Sequence, residues 1–134
     1  MNTTRKILIV DDEPDILEFL SYNFRKKGYE VVTANDGAEG VKKTRSERPH
    51  LIISDILMPE MDGIEMCREI RSDLLMKNIP FIFLTAVNDD YKILYAMTSG
   101  ADQFVSKPTR FDYLFRMVES MVIKRDIDLS HFTI

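Results

Sequence analysis

Five short apolar runs punctuate the chain, and between them hydrophobic residues recur at helical spacing. The runs are Lys6 to Val10 (KILIV), Glu30 to Ala34, Leu51 to Ile53, Ile79 to Leu84 (IPFIFL) and Gln103 to Ser106. Short and bounded by turn formers, they read as strands rather than helices. Pro14 suits the first turn of a helix, where its missing N–H would have had no partner anyway. Ile16, Leu17, Leu20 and Phe24 then repeat at helical spacing, and Gly28 supplies the stop. Asn35-Asp36-Gly37 reads as a turn and Ala38 to Arg45 as a helix ending before Pro49. Ile64 to Arg71 reads as a helix with Ile64, Cys67 and Ile70 on one face. Asp89-Asp90 can cap a helix running to about Thr98 and stopped by Gly100. Lys107-Pro108 ends the fifth strand, and Thr109 with Asp112 resembles a capping box. Phe111, Leu114, Phe115 and Val118 give the last helix its apolar face.

Strands alternating with helices call for a parallel sheet covered on both faces. Right-handed crossovers leave few topologies, and the expected one is a flavodoxin-like, doubly wound (βα)5 α/β fold with strand order 2-1-3-4-5. At 134 residues the chain is one domain. A chain of that size buries about two-thirds of the surface it exposes when unfolded. Hydrophobic content of 45% and charged content of 30% fit a globular protein. A net charge of −4 without a long Lys/Arg run argues against nucleic acid as a direct ligand. Cys67, the sole cysteine, cannot form an internal disulfide and is expected to be a small buried hydrophobe. No stretch approaches the ~20 apolar residues of a membrane span. There is no signal-peptide core, so the cytoplasm is the expected compartment.

The chemistry centres on His50 to Gly63, HLIISDILMPEMDG, which sets Asp55 at the carboxyl end of a buried strand. Taken alone, Asp55 could simply cap a loop. In the expected strand order, however, the ligand crevice opens between strands 1 and 3. Strand 1 ends in Asp11-Asp12, and strands 4 and 5 deliver Thr85 and Lys107 to the same edge. Three gathered carboxylates raise one another's pKa unless a cation intervenes. Mg²⁺ suits such oxygen ligands, and no His or Cys is placed to favour a softer metal. A carboxylate beside Mg²⁺ can act as a nucleophile and become an acyl phosphate. The Lys107 ammonium and Thr85 hydroxyl would then meet the phosphoryl oxygens.

The runs ILIVDDEPD, LIISDILMPEMDG, FIFLTA and GADQFVSKP resemble the receiver domain of two-component response regulators, over about residues 5 to 123. The resemblance implies that Asp55 is the phosphoacceptor, supplied by a sensor histidine kinase or a phosphotransfer protein. It also implies that Asp12, Asp55 and the backbone carbonyl of Leu57 ligate Mg²⁺, with Asp11 helping directly or through water. Thr85 and Lys107 would be the switch hydroxyl and the phosphate-contacting lysine. Phe104 stands at the switch aromatic, often Tyr, and without a hydroxyl can report burial only. Such a module catalyses only its own phosphorylation and dephosphorylation. Its output surface, formed by the fourth helix, fifth strand and fifth helix, would meet a partner or a second copy.

Residues 1–123 would form the receiver, and 124–134, with Ile127, Leu129, Phe132 and Ile134, a tail or the start of a linker to an effector. The departures are His50, where Asp is common, and Thr109, where Phe is common; neither touches the acidic pocket. His50 reads as a loop or strand-edge histidine. Leu57 and Val87 flank the approach of a hydrolytic water in the family fold, and being aliphatic they predict slow self-dephosphorylation. Two other readings stand beside this one. An aspartate-nucleophile phosphatase of the haloacid dehalogenase type would need a DxD pair after the first strand and a substrate cap, where this chain has Asp11-Asp12-Glu13-Pro14 and short connections. A phosphorylation-independent docking module would have no need of all five site residues.

Overall fold

The computed structural model describes residues 4–130. Strands β1 (Lys6–Val10), β2 (Glu30–Ala34), β3 (Leu51–Ser54), β4 (Phe81–Thr85) and β5 (Gln103–Ser106) alternate with helices α1 (Pro14–Lys26), α2 (Gly37–Glu47), α3 (Gly63–Ser72), α4 (Asp90–Met97) and α5 (Phe111–Ser130). The sheet runs β2-β1-β3-β4-β5, with every neighbouring pair parallel. This is the flavodoxin-like order expected from the alternation.

Apart from Lys6, Ser54 and Thr85 at their ends, the central strands are apolar because successive side chains enter two different cores. Ile7 and Ile9 of β1, Leu51 and Ile53 of β3, and Ile82 and Leu84 of β4 pack with Leu17, Leu20 and Phe24 of α1 and Leu114, Val118 and Val122 of α5. Leu8, Val10, Ile52, Phe81 and Phe83 face the other way, against Val41 of α2, Ile64, Met66, Cys67 and Ile70 of α3, and Ala96 of α4. Helices α1 and α5 thus cover one face and α2, α3 and α4 the other. The two crossovers leaving β1 and β3 diverge to opposite faces, which opens a crevice beyond the carboxyl ends of those strands.

Local chemistry sets the helix starts. Asp36 accepts a hydrogen bond from Glu39 N at 2.8 Å, and Asp89 accepts one from Lys92 N at 3.1 Å, each closing the first turn of its helix. Asp62 forms a full capping box with Glu65 at the start of α3. Gly28, at φ +93°, ends α1 in a conformation that suits glycine.

Several boundaries differ from expectation. Strand β4 begins at Phe81 rather than Ile79, because Ile79 N donates back to Met76 O in a turn while its carbonyl accepts from Arg71. No hydrogen bond joins Thr109 and Asp112 among the described residues; Asp112 accepts instead from Arg110 Nε at 3.2 Å. Residue 123 falls inside α5, which continues to Ser130. Beyond residue 123 the helix is tied back to the sheet, Arg125 donating to His50 O at 3.1 Å and Asp126 pairing with Arg5. Phe132 and Ile134 lie outside the described residues. Among the described residues, no helix is long and apolar enough to cross a membrane.

Candidate functional site

Backbone pairing fixes the floor of the crevice. Asp11 N donates to Ala34 O at 3.1 Å and Asp55 N to Val10 O at 2.9 Å, so both carboxylates leave the sheet one residue beyond a paired strand. Lys107 N donates to Thr85 O at 2.8 Å, which seats the lysine beside the end of β4. The loop after Asp55 closes where Gly63 N donates to Ile56 O at 2.8 Å. A Cβ on Gly63 would lie 2.0 Å from the Asp55 carbonyl oxygen, so the chain can turn this tightly only with glycine there.

The side chains converge on Lys107. Its Nζ lies 2.8 Å from Asp11 Oδ2, 3.1 Å from Asp55 Oδ2 and 3.9 Å from Glu13 Oε1. The remaining oxygens are held by amides: Asp55 Oδ1 accepts from Ile56 N at 2.6 Å and Asp11 Oδ1 from Glu13 N at 2.9 Å. Asp11, Asp12 and Asp55 each offer an oxygen within 4.8 Å of the others. Asp11 and Asp55 are buried, whereas Asp12 is exposed. Three carboxylates against one ammonium leave the cluster negative, and its all-oxygen donor set fits a hard divalent cation.

The protonation equilibria carry the same strain. Burial pushes the Asp11 carboxyl above its usual range, although the Lys107 hydrogen bond opposes the shift. Burial also disfavours the Lys107 charge, but the hydrogen bond to Asp11 and the charges of Asp11 and Asp55 outweigh it and hold its pKa up.

A cleft of about 550 Å³ opens over this cluster, lined by Asp12, Asp55, Leu57, Thr85, Val87 and Lys92 among others. Thr85 is buried, and its Oγ1 accepts from Val87 N at 3.3 Å, which leaves the hydroxyl proton free to be donated. Leu57 is exposed at the rim. Phe104 stands apart from the cleft, in register with Phe83 and packed against the core on the α2–α4 face. His50 lies at the far, amino-terminal edge of the sheet, where its Nδ1 accepts from Lys6 N at 2.9 Å. Burial, then Arg5 and Arg125, lower its pKa, so it is a neutral edge residue. Cys67 is buried, and burial pushes its thiol up.

Sequence reasoning brought Asp11, Asp12, Asp55, Thr85 and Lys107 to one edge and missed two contributors. Glu13 is a second acid facing Lys107, and its place directly after the Asp pair was the available signal. Lys92, in the first turn of α4, lines the cleft with no local pattern to mark it.

The profile of the response regulator receiver domain matches residues 7–119. The chain belongs to this family. Over 104 residues, 78% of its length, this receiver is 42% identical to the alkaline phosphatase synthesis transcriptional regulatory protein PhoP of Bacillus subtilis, covering 42% of that protein. Over 109 residues, 81% of its length, it is 37% identical to the DNA-binding response regulator MtrA of Mycolicibacterium smegmatis, covering 46% of that protein. The receiver therefore spans less than half the length of these curated relatives. Among solved structures, the signal receiver domain of a histidine kinase from Syntrophus aciditrophicus superposes with a TM-score of 0.86 at 36% identity, covering 90% of this chain and 92% of that one.

Proposed function

We propose that this receiver accepts a phosphoryl group on Asp55 from the phosphohistidine of a sensor histidine kinase or phosphotransfer protein, in a Mg²⁺-dependent reaction. The observation that carries the reading is the Asp55 carboxylate, anchored at Oδ1 by the Ile56 amide and set at Oδ2 beside the Lys107 ammonium, 3.1 Å away, at the floor of an open cleft. A carboxylate oxygen attacks phosphorus, the P–N bond to the donor imidazole breaks, and the imidazole leaves with the electron pair and takes up a proton. Lys107 neutralises charge on the transferring oxygens, and Thr85 has a proton to donate to one of them. Asp11, Asp12, Asp55 and the Leu57 carbonyl would hold Mg²⁺, which supplies further positive charge at those oxygens.

Asp55 phosphate would then draw Thr85 toward it, vacating space into which Phe104 turns. The change is a shift in population toward a state already present at low level. It reads out on the α4–β5–α5 face, where Tyr91, Leu94 and Tyr95 of α4 and Tyr113 of α5 are exposed. A partner protein or a second copy of the chain would dock there, in the cytoplasm, without direct contact to nucleic acid. The receiver would catalyse nothing beyond its own phosphorylation and dephosphorylation. Incubation with a small acyl-phosphate donor and Mg²⁺ should add one phosphoryl group to the intact mass. Asp55→Asn, or removal of Mg²⁺ by chelation, should abolish the gain; unchanged labelling of Asp55→Asn would overturn the proposal.

A further inference from the structure

At the amino-terminal edge of the sheet, opposite Asp55, the carboxyl end of α3, the loop before β4 and the second half of α5 line a second cleft of about 580 Å³. Four cations line it, Arg71, Lys77, Lys124 and Arg125, against one acid, Asp102, for a local charge of +3 on a chain of net charge −4. The acid is already committed: Asp102 Oδ2 accepts from Arg71 Nη2 at 3.0 Å and from Phe81 N at 2.8 Å. Arg71 is committed as well, donating to the carbonyls of Gly100, Lys77 and Ile79, so it acts as a fixed positive wall. Lys77 and Lys124 are different. Both are exposed, and neither ammonium has a hydrogen-bond or ion-pair partner among the residues whose side chains are described, 4–127. The folded domain thus holds converging cations from separate segments at a cost in mutual repulsion.

We infer that this cleft binds a compact polyanion carrying two or more phosphate groups, with Lys77 and Lys124 as its direct contacts. A diphosphate group carries roughly three negative charges near neutral pH, matching the local excess. The lining holds no aromatic ring on which a base could stack, so recognition rests on phosphate groups rather than on a nucleobase. A cleft lined by separate segments of the fold suits a small ligand better than an extended polymer. Because the cleft spans the start of β5 and the second half of α5, its occupant would bridge two of the elements that form the proposed output face.

The test is calorimetric titration of the whole chain with diphosphate in the presence of a chelator, which keeps the acidic cluster free of metal. Saturable binding is expected, with amide shifts confined to Lys77, Asn78, Gln103, Lys124 and their neighbours. Lys77→Glu and Lys124→Glu should each weaken binding about tenfold or more, the worth of one charge-assisted contact, and Asp55→Asn should leave it unchanged. A nucleoside triphosphate should bind no more tightly than inorganic triphosphate; tighter binding would show base recognition and overturn the inference. Binding of unphosphorylated nucleoside, binding of poly-glutamate but not diphosphate, no saturation at millimolar diphosphate, or indifference to both lysine variants would each overturn the inference. Both lysines are exposed, and unchanged melting temperatures will confirm that the variants fold.

Discussion

Lys107→Ala removes the cation that, among the described residues, pairs with both Asp11 and Asp55. In the native site its ammonium touches Asp11 at 2.8 Å and Asp55 at 3.1 Å, and the lysine side chain is only 15% exposed. Breaking a buried ion pair by deleting one partner costs about 3–5 kcal/mol, chiefly because the other charge is left buried and unpaired. Here the loss is tempered by Asp11. Its carboxyl already sits above the ordinary range through burial, and losing the Lys107 hydrogen bond raises it further, so the orphaned group sheds part of its penalty by taking a proton as pH falls. We expect a destabilisation of about 2–4 kcal/mol at pH 8 without metal, or a melting temperature lower by roughly 6–15 °C. The penalty should shrink as pH falls below the raised Asp11 value. The sign for the wild type follows from linkage. A raised carboxyl binds more protons folded than unfolded, so Asp11 costs stability as pH climbs above the ordinary carboxylate value. Lys107, also raised, contributes stability that is complete below its ordinary pKa and is lost at alkaline pH as the folded group deprotonates. Urea unfolding of both proteins at pH 5 and pH 8 in chelator, then at pH 8 with Mg²⁺, measures all of this. Mg²⁺ should stabilise the variant more than the wild type, because it no longer competes with an ammonium for Asp11. A destabilisation below about 0.5 kcal/mol at pH 8, or one equal at both pH values, would refute the reasoning.

Three further predictions are independent of that one. Asp12→Ala should weaken Mg²⁺ binding at least about tenfold while leaving the melting temperature intact, since Asp12 is exposed and its loss relieves like-charge repulsion; calorimetry decides, and equal affinity would remove Asp12 from the metal site. Phosphorylation should move the amides around Phe104 and Tyr95 as well as those near Asp55; a nuclear magnetic resonance spectrum perturbed only beside Asp55 would contradict the switch. After loading Asp55 and removing the donor, decay should be slow in the wild type and faster in Leu57→Asn or Val87→Glu, whose polar groups can orient water; identical rates in all three would show that these side chains do not govern hydrolysis.

Much of this was legible because the chain writes both cores into each strand. Runs such as KILIV have no polar face, which only a sheet covered on both sides explains, and the turn residues after them mark where side chains become free for chemistry. Asp11, Asp55, Thr85 and Lys107 each follow or end such a run, so a parallel sheet had to bring them to one edge. What resisted reading was tertiary. Lys107 selects Asp11 as its nearer partner, and nothing local ranks Asp11 against Asp55. Gly63 reads as a turn residue, yet its necessity comes from the Asp55 carbonyl pressed against it. The continuation of α5 to Ser130 is supported by Arg125 and Asp126 reaching His50 and Arg5, contacts between residues far apart in the chain. The basic cleft was invisible for the same reason: Arg71, Lys77, Lys124 and Arg125 form no run in the sequence.

The central claim is that the phosphoryl group resides on Asp55, and chemical trapping tests it most directly. Treating the phosphorylated chain with borohydride reduces an acyl phosphate to an alcohol, and peptide mass mapping then locates the reduced residue. Reduction is expected at position 55 alone, requiring both donor and Mg²⁺. Reduction at Asp11 or Asp12, or a phosphoryl group that resists borohydride and maps to a hydroxyl side chain, would contradict it.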